Sequence, residues 1–220
     1  MNPQTSVSPA APGRPSSGVP AVFFFLPLVG LTLSFVYRIF STFFPGEIGI
    51  GGFHIDLVID LPILIGALLI GFAGMKDWRR TGVLLIATSV LLSFGVHLLT
   101  EFVRPEVELQ TLGIIGTVFG ACVSLVSLSG SILLIVNKKG GSPLVRVSGL
   151  LFLCEILFAW GISLVIGWIA FEIADSLEID TGTCDRYLWL GRTLIQLGLQ
   201  AIAWITLAIG VIRERSAARA

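Results

Sequence analysis

The chain has 220 residues, of which 55% are hydrophobic and 13% charged, and its formal net charge is zero. Soluble domains carry roughly 25% charged residues, so too few charges remain to cover a water-facing surface, and lipid must solvate much of the exterior. Neutrality gives no reason to expect a nucleic-acid partner or an acidic substrate, and the placement of the charges informs more than their sum.

Residues 1–20 are rich in Pro, Ser, Ala and Gly and hold one charge, Arg14. Such a segment buries too little apolar surface to offset the entropy of ordering, so a disordered N-terminal tail is expected. The apolar run that follows, Ala21 to Phe44, is longer than the roughly 7–15 residues of a cleavable signal core. No A-x-A site follows it. It reads as a first spanning helix that also acts as an uncleaved anchor.

A spanning helix needs about 20 mostly apolar residues. Six runs qualify: 21–44, 57–74, 81–103, 112–136, 147–170 and 187–212. Breakers separate them, including Pro45-Gly46, Arg104-Pro105, Gly140-Gly141-Ser142-Pro143 and Thr181-Gly182-Thr183. The second run is the shortest and contains Pro62, where a kink is expected. The runs are too long and continuous for barrel strands, which would alternate polar and apolar residues. The expected fold is therefore all-α: a polytopic membrane protein built as a six-transmembrane-helix bundle with no soluble domain, ending in a basic tail over 213–220.

Basic residues favour cytoplasmic loops. Lys76, Arg79 and Arg80 lie in the second connection, Lys138, Lys139 and Arg146 in the fourth, and Arg213, Arg215 and Arg219 follow the last run. Six crossings place all of these on one side with Arg14. The acids Glu47, Asp56, Glu106, Glu108, Glu172, Asp175, Glu178, Asp180 and Asp185 fall on the other. Both termini are thus expected in the cytoplasm, with the protein in a bacterial inner or plasma membrane.

A tandem repeat of helical hairpins is one reading of the chain. Arg80 to Leu98 can be laid over Arg146 to Leu164, which sets Gly95 against Gly161. The preceding helices end alike, GALLIGFAGMK from Gly66 and GSILLIVNKKG from Gly130. Any two apolar helices preceded by a basic loop share such features.

Four groups of residues are candidates for a role. On the fourth helix Gly116, Gly120 and Ser124 form a small-residue face, which lets another backbone approach closely where no hydrophobic drive exists. The partner helix could belong to this chain, to a second copy or to another membrane protein. Glu155 lies roughly nine residues into the fifth run, about 13 Å deep at 1.5 Å per residue, where a charge is costly and has to face the bundle, pair or stay protonated. Arg192, Gln196 and Gln200 share one face of the sixth helix and form either an interhelical hydrogen-bond seam or the wall of a polar cavity. Arg192 is expected to meet an outer acid, Asp60 or Glu101. The last group, Asp56, Asp60, His97 and Glu101 with His54, clusters at the outer ends of the second and third helices. Headgroup contact is the default reading of such interfacial groups, and no dense ligand motif calls for a metal.

Trp168, Trp189, Tyr37, Tyr187 and Trp78 fit an aromatic belt, with Trp160 and Trp204 deeper. Cys122 and Cys154 sit in apolar runs and Cys184 in a polar loop, without metal-ligand spacing. Nucleotide-binding, nucleophile-elbow and haem motifs are missing, and no cofactor is expected. Three function classes remain. The first is a non-enzymatic protein that packs in or organises a membrane complex. The second is a small transporter or channel using Glu155 and the polar stripe. The third is a membrane enzyme built on the outer acidic and His cluster. The lipid bilayer is the one partner all three share.

A reporter active only outside the cytoplasm is expected to stay silent when fused after Ala220 and to be active when placed near Gly182. The reverse pattern would refute the expected topology.

Overall fold

The computed structural model describes residues 19–44, 55–103, 109–136, 141–177 and 180–217. It contains six long helices: α1 (Leu26–Phe43, led in by a 3-10 turn over Ala21–Phe25), α2 (Ile55–Leu69, continued by a π turn over Ile70–Gly74), α3 (Asp77–Val103), α4 (Leu109–Ile135), α5 (Pro143–Leu177) and α6 (Thr181–Ala217). There is no strand among the described residues. Each helix packs on its neighbours in sequence, and α6 packs on α1 to close a ring.

The helices alternate in direction. Glu214 near the end of α6 pairs with Arg79 at the start of α3. It also accepts a hydrogen bond from the Ser142 backbone N–H at the start of α5, at 2.6 Å. Arg215 donates to the carbonyl of Val19, just before α1, at 3.4 Å. One end of the bundle therefore carries the starts of α1, α3 and α5 and the end of α6, with Val19 and Ala217 both there.

The exterior is apolar. Val29, Val118, Leu157 and Ile202 are all exposed, as expected of side chains solvated by acyl chains. Segments Ala21–Phe43, Ile114–Ile135, Pro143–Ser163 and Gly182–Ala217 are each long and apolar enough to cross a membrane, and Val58–Gly74 is a shorter apolar helix. The chain is an all-α membrane bundle.

Several boundaries differ from the hydropathy reading, because a helix does not stop where apolar residues stop. At 35 and 37 residues, α5 and α6 run about 52 and about 55 Å at 1.5 Å per residue, well beyond a hydrocarbon core of about 30 Å. The expected Thr181-Gly182-Thr183 loop is instead the first turn of α6. Asp180 caps it: its Oδ2 accepts from the Thr183 backbone N–H at 2.8 Å and from the Thr183 hydroxyl at 3.0 Å. These bonds, the backbone one foremost, hold the Asp180 carboxyl below its ordinary value. Arg213 and Arg215, expected in a tail, belong to the last turns of α6. Pro143 opens α5 at the position where its missing N–H costs nothing, and the Ser142 hydroxyl accepts from Leu144 N at 3.3 Å. Pro62 lies inside α2. Of the tail expected over 1–20, residues 1–18 fall outside the described residues, and Val19 packs against the core.

Among the described residues the core is concentrated at the end that holds the termini. Phe24, Ile70, Val83, Leu134, Val145, Leu207 and Val211 are essentially inaccessible, and they come from that end of all six helices. Backbones approach closely there. A Cβ built on Gly130 of α4 would lie 2.6 Å from the Gly82 carbonyl oxygen of α3, and one on Gly82 would lie 2.9 Å from the Gly130 oxygen. Gly149 of α5 meets the Ser131 carbonyl of α4 in the same way. Gly66 and Gly130, which begin the two matching segments of the tandem reading, both abut the preceding helix.

Among the described residues, the small-residue face expected at Gly116, Gly120 and Ser124 forms no such close seam. Nothing lies within 4 Å of a Cβ built on Gly116 or Gly120. The close approach occurs ten residues further along α4, at Gly130. Single-helix spacing marks where a backbone could come close, and the position of the next helix decides where it does.

Gly130→Leu is expected to lower thermal stability in detergent, since overpacking typically costs about 1–3 kcal/mol. Gly116→Leu and Gly120→Leu are expected to leave the melting temperature of the monomer unchanged. Equal effects at all three positions would contradict this packing.

Candidate functional site

Midway along the bundle the packing changes character. Glu155 of α5 is buried, with 6% of its surface exposed. Its Oε1 accepts hydrogen bonds from Gln196 Nε2 at 2.5 Å and from Gln200 Nε2 at 3.1 Å. Positions 196 and 200 are one helical turn apart, so both amides leave the same face of α6. Antiparallel packing of α5 and α6 along their length brings that face onto Glu155. Two features that stood apart in the sequence, the buried acid and the glutamine pair, thus form one hydrogen-bonded unit.

Arg192, one turn before Gln196, completes the stripe. Its guanidinium lies over the Trp189 ring with 4.6 Å to the centroid. Its Nη2 donates to the Ala159 carbonyl oxygen of α5 at 3.3 Å. Its Nε is buried without a hydrogen-bond partner. The acid next along this face is Glu155, which Gln196 engages one turn further on. Among the described residues no ion pair joins Arg192 to an acid. Asp60 lines the cavity beside Glu155, and the side chain of Glu101 lies outside the described ones.

Two cavities flank the glutamines. The first, about 270 Å³, is bordered by Glu155, Gln196 and Gln200, by Asp60 of α2, and by Ser89 and Ser93 of α3 and Ser124 and Ser127 of α4. Apolar and aromatic side chains, among them Phe152, Trp160 and Trp204, complete its wall. Trp204 is buried and packs edge-on against Phe152, centroids 5.1 Å apart. Trp160 is half exposed and donates to the Ser124 hydroxyl at 3.2 Å. Ser124 therefore serves the cavity wall, a role its place in the small-residue face did not suggest. The second cavity, about 430 Å³, lies on the α1 side of the same stripe. Ser34, Arg38, Trp189, Arg192, Thr193, Leu197, Gln196 and Gln200 line it.

The outer cluster expected from Asp56, Asp60, His97 and Glu101 is only partly in view. Asp60 lines the Glu155 cavity together with Gln196 and Gln200. The side chains of Asp56, His97 and Glu101 lie outside the described ones. Among the described residues no group of three or more His, Cys, Asp or Glu could hold a metal ion. Glu214, which joins three helices at the far end from the cavities, was also not anticipated. An acid among basic residues near a terminus carries no sequence signal for that role.

Comparison with protein families, curated proteins and solved structures returns no match for this chain.

A polar pocket of this kind, with a carboxyl group and convergent amides and hydroxyls, is a default location for a binding site. Gln196→Leu is expected to lower stability by about 1–3 kcal/mol, the cost of leaving a buried acceptor short of a partner. Glu155→Leu combined with Gln196→Leu is expected to cost less than the two single effects added together. Additive losses in thermal melts would mean the pair is not coupled.

Proposed function

We propose that this chain is a small membrane transporter in which Glu155 is the proton-binding group and the cavity around it receives a small polar solute. One observation carries the reading: a buried carboxyl group, held by two amides of a neighbouring helix, borders a cavity that a second carboxylate, Asp60, also lines. Ionisable groups within a membrane are expensive to retain, and they mark ion pathways and proton relays more often than structural sites. The packing of the ends supports the same reading. The core seals the end that holds the termini, and the cavities lie beyond it towards the other end.

The remaining parts of the proposal concern the membrane. All six helices span it, with both termini in the cytoplasm of a bacterial cell. Lys76, Arg79, Arg80, Arg146, Arg213 and Arg215 all belong to connections or helix ends on the sealed side, as the positive-inside rule asks.

A second reading, an organising protein that packs against another membrane helix, keeps support from the Gly116 and Gly120 face, which no part of this chain covers among the described residues. The two readings are compatible. Of the outer cluster on which an enzymatic reading rests, Asp60 is the member whose side chain is described, and it lines the Glu155 cavity.

The test is proton movement in liposomes holding the purified chain. A pH-sensitive dye inside reports acidification when an outward-to-inward solute gradient is imposed with each of a panel of small amines, neutral polar solutes, carboxylates and phosphate. At least one solute is expected to drive proton uptake, and Glu155→Gln is expected to abolish it while leaving yield and melting temperature near wild type. Flux that survives in Glu155→Gln, or no solute-driven flux anywhere on the panel, would overturn the reading.

A further inference from the structure

We propose that the cavity beside Arg192 is an anion-binding vestibule, and that an anion there and a proton on Glu155 bind cooperatively through Arg192. This rests on the transporter reading and names its solute class: a small carboxylate or other oxyanion.

The walls of the vestibule carry two guanidinium groups, Arg38 and Arg192, and no carboxylate among the described lining residues. Arg192 decides the argument. A guanidinium has five N–H donors in a planar fork suited to a carboxylate or phosphate. Here Nη2 has one carbonyl at 3.3 Å, and Nε is buried with none. The Trp189 face satisfies the cation by its quadrupole but offers the N–H groups no acceptor in the plane of the fork. A buried donor left unpaired costs free energy, and an oxyanion in the vestibule would remove that cost. Arg38 keeps its own contacts, and the proposal does not depend on it.

Coupling follows from the shared wall. Gln196 and Gln200 border both cavities, and both give their amide protons to Glu155. Among the described residues, the charged groups around Glu155 are few. Arg192 comes from α6, Asp60 from α2 across the first cavity and Arg38 from α1 across the second, while α3 and α4 contribute serines. With Glu155 ionised, its charge offsets that of Arg192 and the vestibule has little to offer an anion. With Glu155 protonated, Arg192 is left uncompensated in a low-dielectric wall. An anion then binds more tightly, and by linkage the bound anion favours the protonated acid by the same factor. Proton and monoanion together add no net charge, so the pair crosses a hydrocarbon barrier more cheaply than either alone.

The experiment is calorimetric titration of the full chain, in nanodiscs of phosphatidylcholine, with acetate and with inorganic phosphate from about pH 8 down to about pH 5. Acetate affinity is expected to rise by up to about tenfold per pH unit through the Glu155 titration, with uptake of about one proton per anion read from buffers of different ionisation enthalpy. Glu155→Gln is expected to bind acetate with an affinity that no longer changes with pH. Arg192→Gln is expected to weaken binding by more than about tenfold. Should that protein not fold, Arg192→Lys serves instead. It keeps the charge but loses the fork, so it should bind more weakly with the pH dependence retained. A parallel series in discs containing phosphatidylglycerol separates two sources of the anion. Loss of acetate binding there assigns the vestibule to a lipid headgroup, and unchanged binding assigns it to a soluble anion; either result supports an anion site. The inference is overturned if neither acetate nor phosphate binds at any pH, or if Glu155→Gln keeps the wild-type pH dependence. Solute-driven, Glu155-dependent proton flux with amines or neutral solutes but not with anions would refute the vestibule and leave the transporter reading standing.

Discussion

A carboxyl group placed midway through an apolar bundle must be satisfied by its own neighbours, because lipid offers none. Insertion of an acidic residue at the centre of a spanning helix costs about 2.5–3.5 kcal/mol on translocon scales. Glu155 meets that demand through Gln196 and Gln200, and in doing so it constrains much else. The two amides reach one oxygen only if α5 and α6 keep a fixed rotation and a fixed register. That register carries Arg192 to the edge of α5, where the Ala159 carbonyl meets it. It also turns the apolar faces of α6, including Ile195 and Ile202, outward. A slip of one residue would rotate both glutamines off the acid by about 100°.

The rest of the bundle divides around this unit. At the end with the termini, apolar side chains are fully enclosed and backbones approach at Gly82, Gly130 and Gly149. Glu214 accepts from Arg79 and from the Ser142 backbone, tying α3, α5 and α6 together. Arg215 lies over the Phe24 ring at 5.2 Å and reaches the Val19 carbonyl, which ties in α1. Towards the other end the serines of α1, α3 and α4 face space, in two cavities separated by the glutamines. Small residues do two different jobs in the two halves. Where helices touch they allow close approach. Around the cavities their hydroxyls supply polarity without filling the volume.

Much of this was legible in the sequence, and what was not has identifiable physical reasons. Hydropathy finds the apolar runs because lipid solvation is a property of composition, and the alternation of basic and acidic connections fixes which ends lie together. Helix ends escape it, because the first turn of α6, capped by Asp180, is polar and yet helical. Glu155 and the Arg192, Gln196 and Gln200 stripe each stood out as anomalies on their own helix. Their union depends on the rotation of α5 against α6, which no single-helix periodicity contains. Asp60 sat one turn from Asp56 in the sequence and was grouped with it. One turn of helix is enough to move a side chain from an interface to a cavity wall. Gly116 and Gly120 carried the stronger packing motif, while the contact made within the chain pairs Gly130 with a glycine on another helix. Spacing within one helix cannot express that complementarity.

The division into a sealed half and a cavitied half bears on what a transport cycle would require. For the solute to leave on the side of the termini, α3 would have to part from α5 and α6 where Glu214 pairs with Arg79, and the Gly82 and Gly130 backbones would have to separate. These contacts are local to the last turns of the helices. Glu155 and the glutamines lie on the two longest helices, well away from those turns. A rocking motion that opened the sealed end could therefore keep α5 and α6 together as one body. Their register, and with it the hydrogen bonds to Glu155, would survive the motion. In such a cycle the proton-binding group stays dressed by its amides throughout, and what changes is which end of the bundle leads to it.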